Sequence, residues 1–140
     1  MPAIFEIKNT VSSKDIDSLG HVNNEVYLSW FNEAAMAHST AQGWPQEKYM
    51  ALGEGWVVRK HEIEYLIPLK EKDAYTLRTW VSTVEKASSL RRHEITRDSD
   101  GKVAARCATL WVWVNYKTGR LGRIPPEVVC AFEVVGEKSQ

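Results

Sequence analysis

Asp15-Ile16-Asp17-Ser18-Leu19-Gly20-His21-Val22-Asn23-Asn24-Glu25-Val26-Tyr27-Leu28-Ser29-Trp30-Phe31-Asn32-Glu33-Ala34 is a polar, glycine-bearing loop that runs directly into an aromatic segment, and the second half of it decides the fold. From Asn24 onward, Val26, Tyr27, Trp30, Phe31, Ala34, Ala35 and His38 recur at the spacing of one helical face. Asn23 or Asn24 is suited to accept from the first free backbone N–H groups. Glu25 lies in the first turn, where the helix dipole favours a carboxylate, and Gly43 with Pro45 stops the run. The pattern predicts one long helix over Asn24 to Gln42.

Everything outside this helix reads as sheet. Ala3 to Lys8 alternates apolar and polar residues ahead of a polar stretch from Asn9 to Asp17, and predicts a short opening strand. Val57 to Ile67 alternates and is closed by Pro68, Tyr75 to Val84 alternates again, and Leu90 to Arg97 leads through Asp100-Gly101 into Val103 to Tyr116. An Asp-Gly between two such runs is a hairpin signal. Pro125-Pro126-Glu127 suits the start of a short helix over Val128 to Phe132, and the stretch from Pro45 to Trp56 reads as a loop. The order of elements predicts an α+β domain in which one helix packs on an antiparallel sheet of about five strands.

With 140 residues, 44% of them apolar and 26% charged, a single globular domain over 1–140 is expected. Eighteen basic against eighteen acidic residues cancel, so the field that gathers nucleic acid is missing and no nucleic-acid partner is expected. The longest apolar run, about Leu110 to Val114, is far short of the roughly 20 residues that span a bilayer. No membrane association and no targeting segment are expected. Two cysteines outside any CxxC pattern suit a reducing cytoplasm. His21, His38, His61 and His93 have no zinc-ligand spacing, and neither metal nor other cofactor is expected. The last strand places Cys107, Thr109, Trp111 and Trp113 on one face and Ala108, Leu110, Val112 and Val114 on the other. One helix covers one face, which predicts a partner subunit on the second; cover by the loop from Pro45 to Trp56 or by the C-terminal tail is the alternative.

The loop before the helix concentrates reactive groups. Asp17 supplies a carboxylate able to act as base or nucleophile, and Gly20 permits an unusual backbone angle or a close substrate approach. The N–H groups at the helix start suit the charge that develops on a carbonyl oxygen during acyl transfer. Together they point to attack on a carbonyl. Each has a plainer role as well: Asp17 as a turn former, His21 as a loop-locking hydrogen-bonder, Asn23 and Asn24 as caps, Tyr27, Trp30 and Phe31 as core aromatics, Ser89 as a turn serine. Lys86, Arg91, Arg92, Arg97 and Arg123 read as scattered cations of a solvated face, with contact to the phosphates of a ligand as the alternative, and Cys107 as a small buried hydrophobe.

Asp17-x-x-Gly20-His21-Val22-Asn23-Asn24-x-x-Tyr27-Leu28 resembles the signature of hotdog-fold thioesterases of the 4-hydroxybenzoyl-CoA thioesterase type. Glu62-Ile63-Glu64-Tyr65-Leu66-Ile67-Pro68, Lys86-Ala87-Ser88-Ser89-Leu90, Asp100-Gly101 and Lys117-Thr118-Gly119-Arg120 continue the resemblance, which runs from about Phe5 to Pro126. It implies a helix wrapped by a curved sheet, edge-to-edge dimers with active sites at the subunit interface, and pairing of dimers into a homotetramer. By position it implies Asp17 as the catalytic carboxylate, the backbone N–H at Asn24 as oxyanion donor, His21 in a supporting part, and substrate contacts at Gly20, Asn23, Tyr27 and Ser89. The same pattern resembles plant acyl-carrier-protein thioesterases, although Leu19 stands where their Asn would be. Another hotdog branch carries its carboxylate on the helix, which leaves Glu33 in reserve. The activity implied is hydrolysis of acyl-CoA to a free acid and CoA. The alternatives are an acyl-carrier-protein thioesterase and a non-catalytic acyl-thioester-binding dimer.

Overall fold

The computed structural model describes residues 3–136. In chain order the elements are β1 (Phe5–Thr10), a single 3-10 turn (Ser13–Asp15), α1 (Asn24–Ala41), α2 (Gln46–Leu52), β2 (Glu54–Tyr65), β3 (Ala74–Val84), β4 (Ser88–Arg97), β5 (Val103–Asn115) and α3 (Pro126–Val129). The five strands form one sheet in the order β1-β3-β4-β5-β2, with every pairing antiparallel. β2 passes over its neighbour in sequence and pairs with β5, which makes it a twelve-residue edge strand. The predicted architecture of one long helix on a five-stranded antiparallel sheet is present.

Several bounds differ from the sequence reading, each for a local reason. β1 begins and ends two residues later than its apolar alternation suggests, because Asn9 and Thr10 continue the ladder opposite Tyr75 and Ala74. Gln42 is the cap of α1, its N–H directed to the carbonyls of the last turn. α3 starts at Pro126 and stops short of Phe132. The stretch predicted as a loop between Pro45 and Trp56 contains α2, stopped by Gly53 in the left-handed conformation with φ 79°. Only Tyr49 of its seven residues is buried, so it carries no periodic signal.

α1 lays Tyr27, Phe31 and Ala34 on Leu77, Ile95, Ala105 and Cys107 of the sheet, and a second core gathers Trp44, Tyr49, Val81, Trp113, Ile124, Val128 and Phe132. The second core lies on the helix side of β5, the face that Cys107 and Trp113 share. Trp113 is fully buried by segments of the same chain, and Val112 and Val114 on the opposite face are 8% and 7% exposed. Along and beyond the β2 edge, Val57, Val58, Tyr65 and Leu66 are exposed.

Between helix and sheet runs a polar belt. Thr79, Arg91, His93 and Thr109 are buried there, and Arg91 Nη1 lies 2.9 Å from His38 Nδ1 and 3.0 Å from Thr79 Oγ1. A guanidinium only donates, so His38 accepts at Nδ1 and is neutral. His93 Nδ1 is buried without a hydrogen-bond partner. Burial, then the charges of Arg91 and His61, hold the His93 pKa well below the ordinary 6.5. In the unfolded chain His93 takes up a proton near its ordinary pKa while the folded chain does not, so stability is full above about pH 6.5 and falls as the pH drops below it. His61, lowered by its own burial, adds in the same direction. Thermal melting between pH 8 and 5 is expected to show this acid limb, with His93→Leu weakening it; a midpoint constant over that range would contradict it.

Candidate active site and its relatives

The loop ahead of α1 is a small hairpin of its own. Ile16 and Val22 form an antiparallel bridge, the Asp17 N–H donates to the His21 carbonyl at 2.9 Å, and the Gly20 N–H donates to the Asp17 carbonyl at 3.1 Å. The bend needs a residue of positive φ after the turn, which Gly20 supplies at +79°. The Val22 N–H donates to the Leu69 carbonyl and the Asn23 N–H to the Asp15 carbonyl, which ties the hairpin to the β2–β3 connection and to the 3-10 turn.

Asp17 is half-buried in this hairpin. Its Oδ1 accepts from the Leu19 N–H at 2.9 Å and, at 3.4 Å, from the His21 N–H. The turn-forming role is real, and it uses one oxygen. No hydrogen bond among the described residues reaches Oδ2. Six residues on, Asn23 caps α1, its Oδ1 accepting from the Glu25 N–H at 2.9 Å, and the Val26 N–H goes to the Asn23 carbonyl. The Asn24 N–H, first in the helix, has no acceptor among the described residues. The arrangement therefore sets a carboxylate oxygen and a helix-start N–H, both uncommitted, on one short loop. Such a pair can activate or supply a nucleophile and hold a developing oxyanion.

Gly20, His21, Asn23 and Asn24 share this corner with Asp17. Tyr27 lies below it, 3% exposed, with its pKa pushed up by burial. Tyr65, on the edge strand, packs on Tyr27 and donates to the Asn24 carbonyl at 3.4 Å. Glu33 is exposed on the outer face of α1, where Ser29 Oγ donates to it at 3.5 Å. Ser89 is elsewhere: its hydroxyl donates to the Thr83 carbonyl and it lines a cavity of ≈ 180 Å³ against the C-terminal half of α1. The residues of the Asp17 hairpin are not part of that lining.

The cavity and its polar wall are what the sequence concealed. Its lining includes Trp44, Tyr49, Trp56 and Phe132, with Ser89 and Arg91. Arg91, expected on a solvated face, is 6% exposed. The phase of β4 holds the signal, since Ser89, Arg91, His93 and Ile95 alternate inward and Ile95 fixes which face is the core. Cys107 is 3% exposed, and burial pushes its thiol up, the behaviour of an unreactive core residue. Among the described residues no three His, Cys, Asp or Glu side chains are placed to hold a metal ion, and no helix is long and apolar enough to cross a membrane.

A chloroplastic acyl-[acyl-carrier-protein] hydrolase of Cuphea viscosissima is 29% identical over 110 residues, covering 74% of this chain and 27% of the relative. A chloroplastic palmitoyl-acyl carrier protein thioesterase of Cuphea hookeriana is 25% identical over 131 residues, 89% of this chain and 32% of the relative. The chain thus spans about a third of the length of the curated relatives it matches. Among solved structures, a Staphylococcus aureus protein in complex with CoA superposes with a TM-score of 0.86 at 19% identity, over 91% of this chain and 80% of that one. A 1,4-dihydroxy-2-naphthoyl-CoA thioesterase from Synechocystis does so with a TM-score of 0.84 at 16% identity, over 91% and 94%. These likenesses carry the fold, a helix held by a curved five-stranded sheet, the hotdog. Residues 11–132 match the thioesterase-like superfamily as a whole, and the chain belongs to that family.

Proposed function

We propose that this chain hydrolyses acyl thioesters of coenzyme A to a free carboxylic acid and a thiol. The observation that carries the reading is the pairing of an uncommitted Asp17 oxygen with the free Asn24 N–H at the start of α1. Asp17 either attacks the thioester carbonyl, giving a mixed anhydride that water opens, or takes a proton from the water that attacks. In both routes the carbonyl oxygen gains negative charge, which the Asn24 N–H and the positive end of the helix dipole oppose. The carbon–sulfur bond breaks and the thiolate leaves, to be protonated by solvent. No metal or redox cofactor enters either route. His21 orders the turn, and Gly20 and Asn23 border the space a substrate would enter.

Acyl-carrier-protein thioesters are the second reading, favoured by the carrier-protein hydrolases among the relatives. Thiol release from matched CoA and carrier-protein esters of short, long and aromatic acids tests both. Hydrolysis of the CoA series supports the first, preference for carrier-protein esters the second, and binding without turnover would leave an acyl-thioester-binding dimer. A cytoplasmic protein suits either soluble substrate.

The assembly we infer is a homodimer joined along β2, paired further into a tetramer. β2 is a long edge strand whose unpaired N–H and C=O groups invite another strand, and Val57 and Val58 along it are 38% and 39% exposed. Tyr65, at the end of that edge, bonds Asn24, so a subunit seated on β2 would stand beside the reactive corner. Sedimentation at micromolar concentration is expected to give a dimer or tetramer. A fully active monomer would defeat the interface-site reading, whereas a dimer alone would remove only the further pairing.

A further inference from the structure

The cavity at the C-terminal half of α1 is apolar over most of its wall and electrically unbalanced. Arg91 enters it from the inward face of β4. Its Nη1 hydrogens go to His38 and Thr79, both neutral, and none of the ion pairs among the described residues involves it. Burial draws its pKa down to about 10, which leaves it charged at neutral pH. A buried cation without a counter-ion is costly to keep. The N–H groups on Nε and Nη2 meet no acceptor among the described residues.

A second donor is stranded in the same cavity. Trp111 Nε1 is buried with no hydrogen-bond partner and Trp111 is part of the lining. On the β4–β5 ladder Arg91 stands opposite Thr109 and Ser89 opposite Trp111, which makes Trp111 the diagonal neighbour of Arg91 on one face. Three hydroxyls of the wall are already spent as donors: Ser89 on the Thr83 carbonyl, Ser39 on the Trp44 carbonyl, and therefore Tyr49 on Ser39. What is lacking is an anionic acceptor. The free edge of a guanidinium is a planar fork that matches a carboxylate, and a cavity of ≈ 180 Å³ with aromatic walls suits a body of about one ring, since about 150 Å³ admits benzene. Met36, Tyr116 and Val129, all exposed, border the mouth.

We propose that this cavity is a binding site for a small aryl carboxylate, its ring against Trp44, Trp56 and Phe132 and its carboxylate on Arg91 and the Trp111 indole N–H. The ligand is a free acid: Asn24 and His38 lie about 21 Å apart along α1, too far for one aryl diacid thioester to reach both the Asp17 corner and Arg91.

Calorimetry of the full chain with phenylacetate, against 2-phenylethanol as its uncharged match, tests this. Phenylacetate is expected to bind at least about ten-fold more tightly, a difference set by charge-assisted hydrogen bonds and lost in Arg91→Met. The wild-type comparison decides even if that variant does not fold. The calorimetry does not rest on the thioesterase reading, so a chain inert toward every thioester can still bind phenylacetate. Equal affinity for acid and alcohol, or discrimination that survives in a folded Arg91→Met, would overturn the proposal.

Discussion

Replacing Asp17 by asparagine is expected to lower kcat by on the order of 10²-fold or more while KM and the melting temperature stay close to their starting values. The substitution is chosen for what it leaves in place. Asn keeps an Oδ1 that accepts from the Leu19 and His21 N–H groups, so the hairpin retains the bonds that Asp17 makes in it. It removes only the negative charge and the basicity of the second oxygen. Asp17→Ala, in contrast, loses the turn bonds too and is expected to melt earlier as well as to lose turnover. His21→Ala should lose less activity than Asp17→Asn, because the hairpin bonds of His21 described above run through its backbone N–H and carbonyl. Steady-state hydrolysis of a good acyl-CoA ester, with melting curves as the folding control, separates these outcomes. A folded Asp17→Asn enzyme with near-normal kcat would rule out the carboxylate mechanism at this loop and turn attention to Glu33 on the outer face of α1.

The largest effect on stability is expected from Phe31→Ala, at about 3–5 kcal/mol. Phe31 is fully buried at the middle of α1, with its ring 5.0 Å from that of His93. Truncation leaves a void bounded by sheet residues that cannot follow the helix inward, because strand pairing fixes His93 opposite both Thr79 and Cys107. For a domain stabilised by about 5–15 kcal/mol this is a large fraction, equivalent to a fall of about 10–20 °C in melting temperature. Urea unfolding reads it directly. A change below about 1 kcal/mol would mean that the helix packs on the sheet more loosely than the described contacts allow.

Much of the fold is legible in local chemistry. The Asp100-Gly101 turn is a tight hairpin with Gly101 at φ 70°, and the helix face from Val26 to His38 meets the sheet as its spacing predicts. What escapes is non-local. Nothing in the alternation of β2 says that it pairs with β5 in preference to β3, because both pairings bury the same face. The site divides in the same way. The Asp17 hairpin and the Asn23 cap are contiguous, so residue types and spacing outline them. The cavity draws its wall from α1, α2, four strands and the segment around α3, and no short window of sequence contains it. Arg91 was hidden by its charge, which reads as surface, although its register reads as core.

The hairpin that carries Asp17 is held mostly by main-chain bonds: Asp17 to His21, Gly20 to Asp17, Val22 to Leu69, Asn23 to Asp15. Main-chain bonds survive most changes of side chain, and Leu19 at the tip is 77% exposed. The cavity, by contrast, is shaped almost wholly by side chains, many from α2 and the residues near α3. Descendants of this chain can therefore diverge in ligand by substitutions at positions such as Trp44, Tyr116 or Val129 while inheriting the reactive corner intact. Natural variation among close orthologues should accumulate around the cavity mouth first.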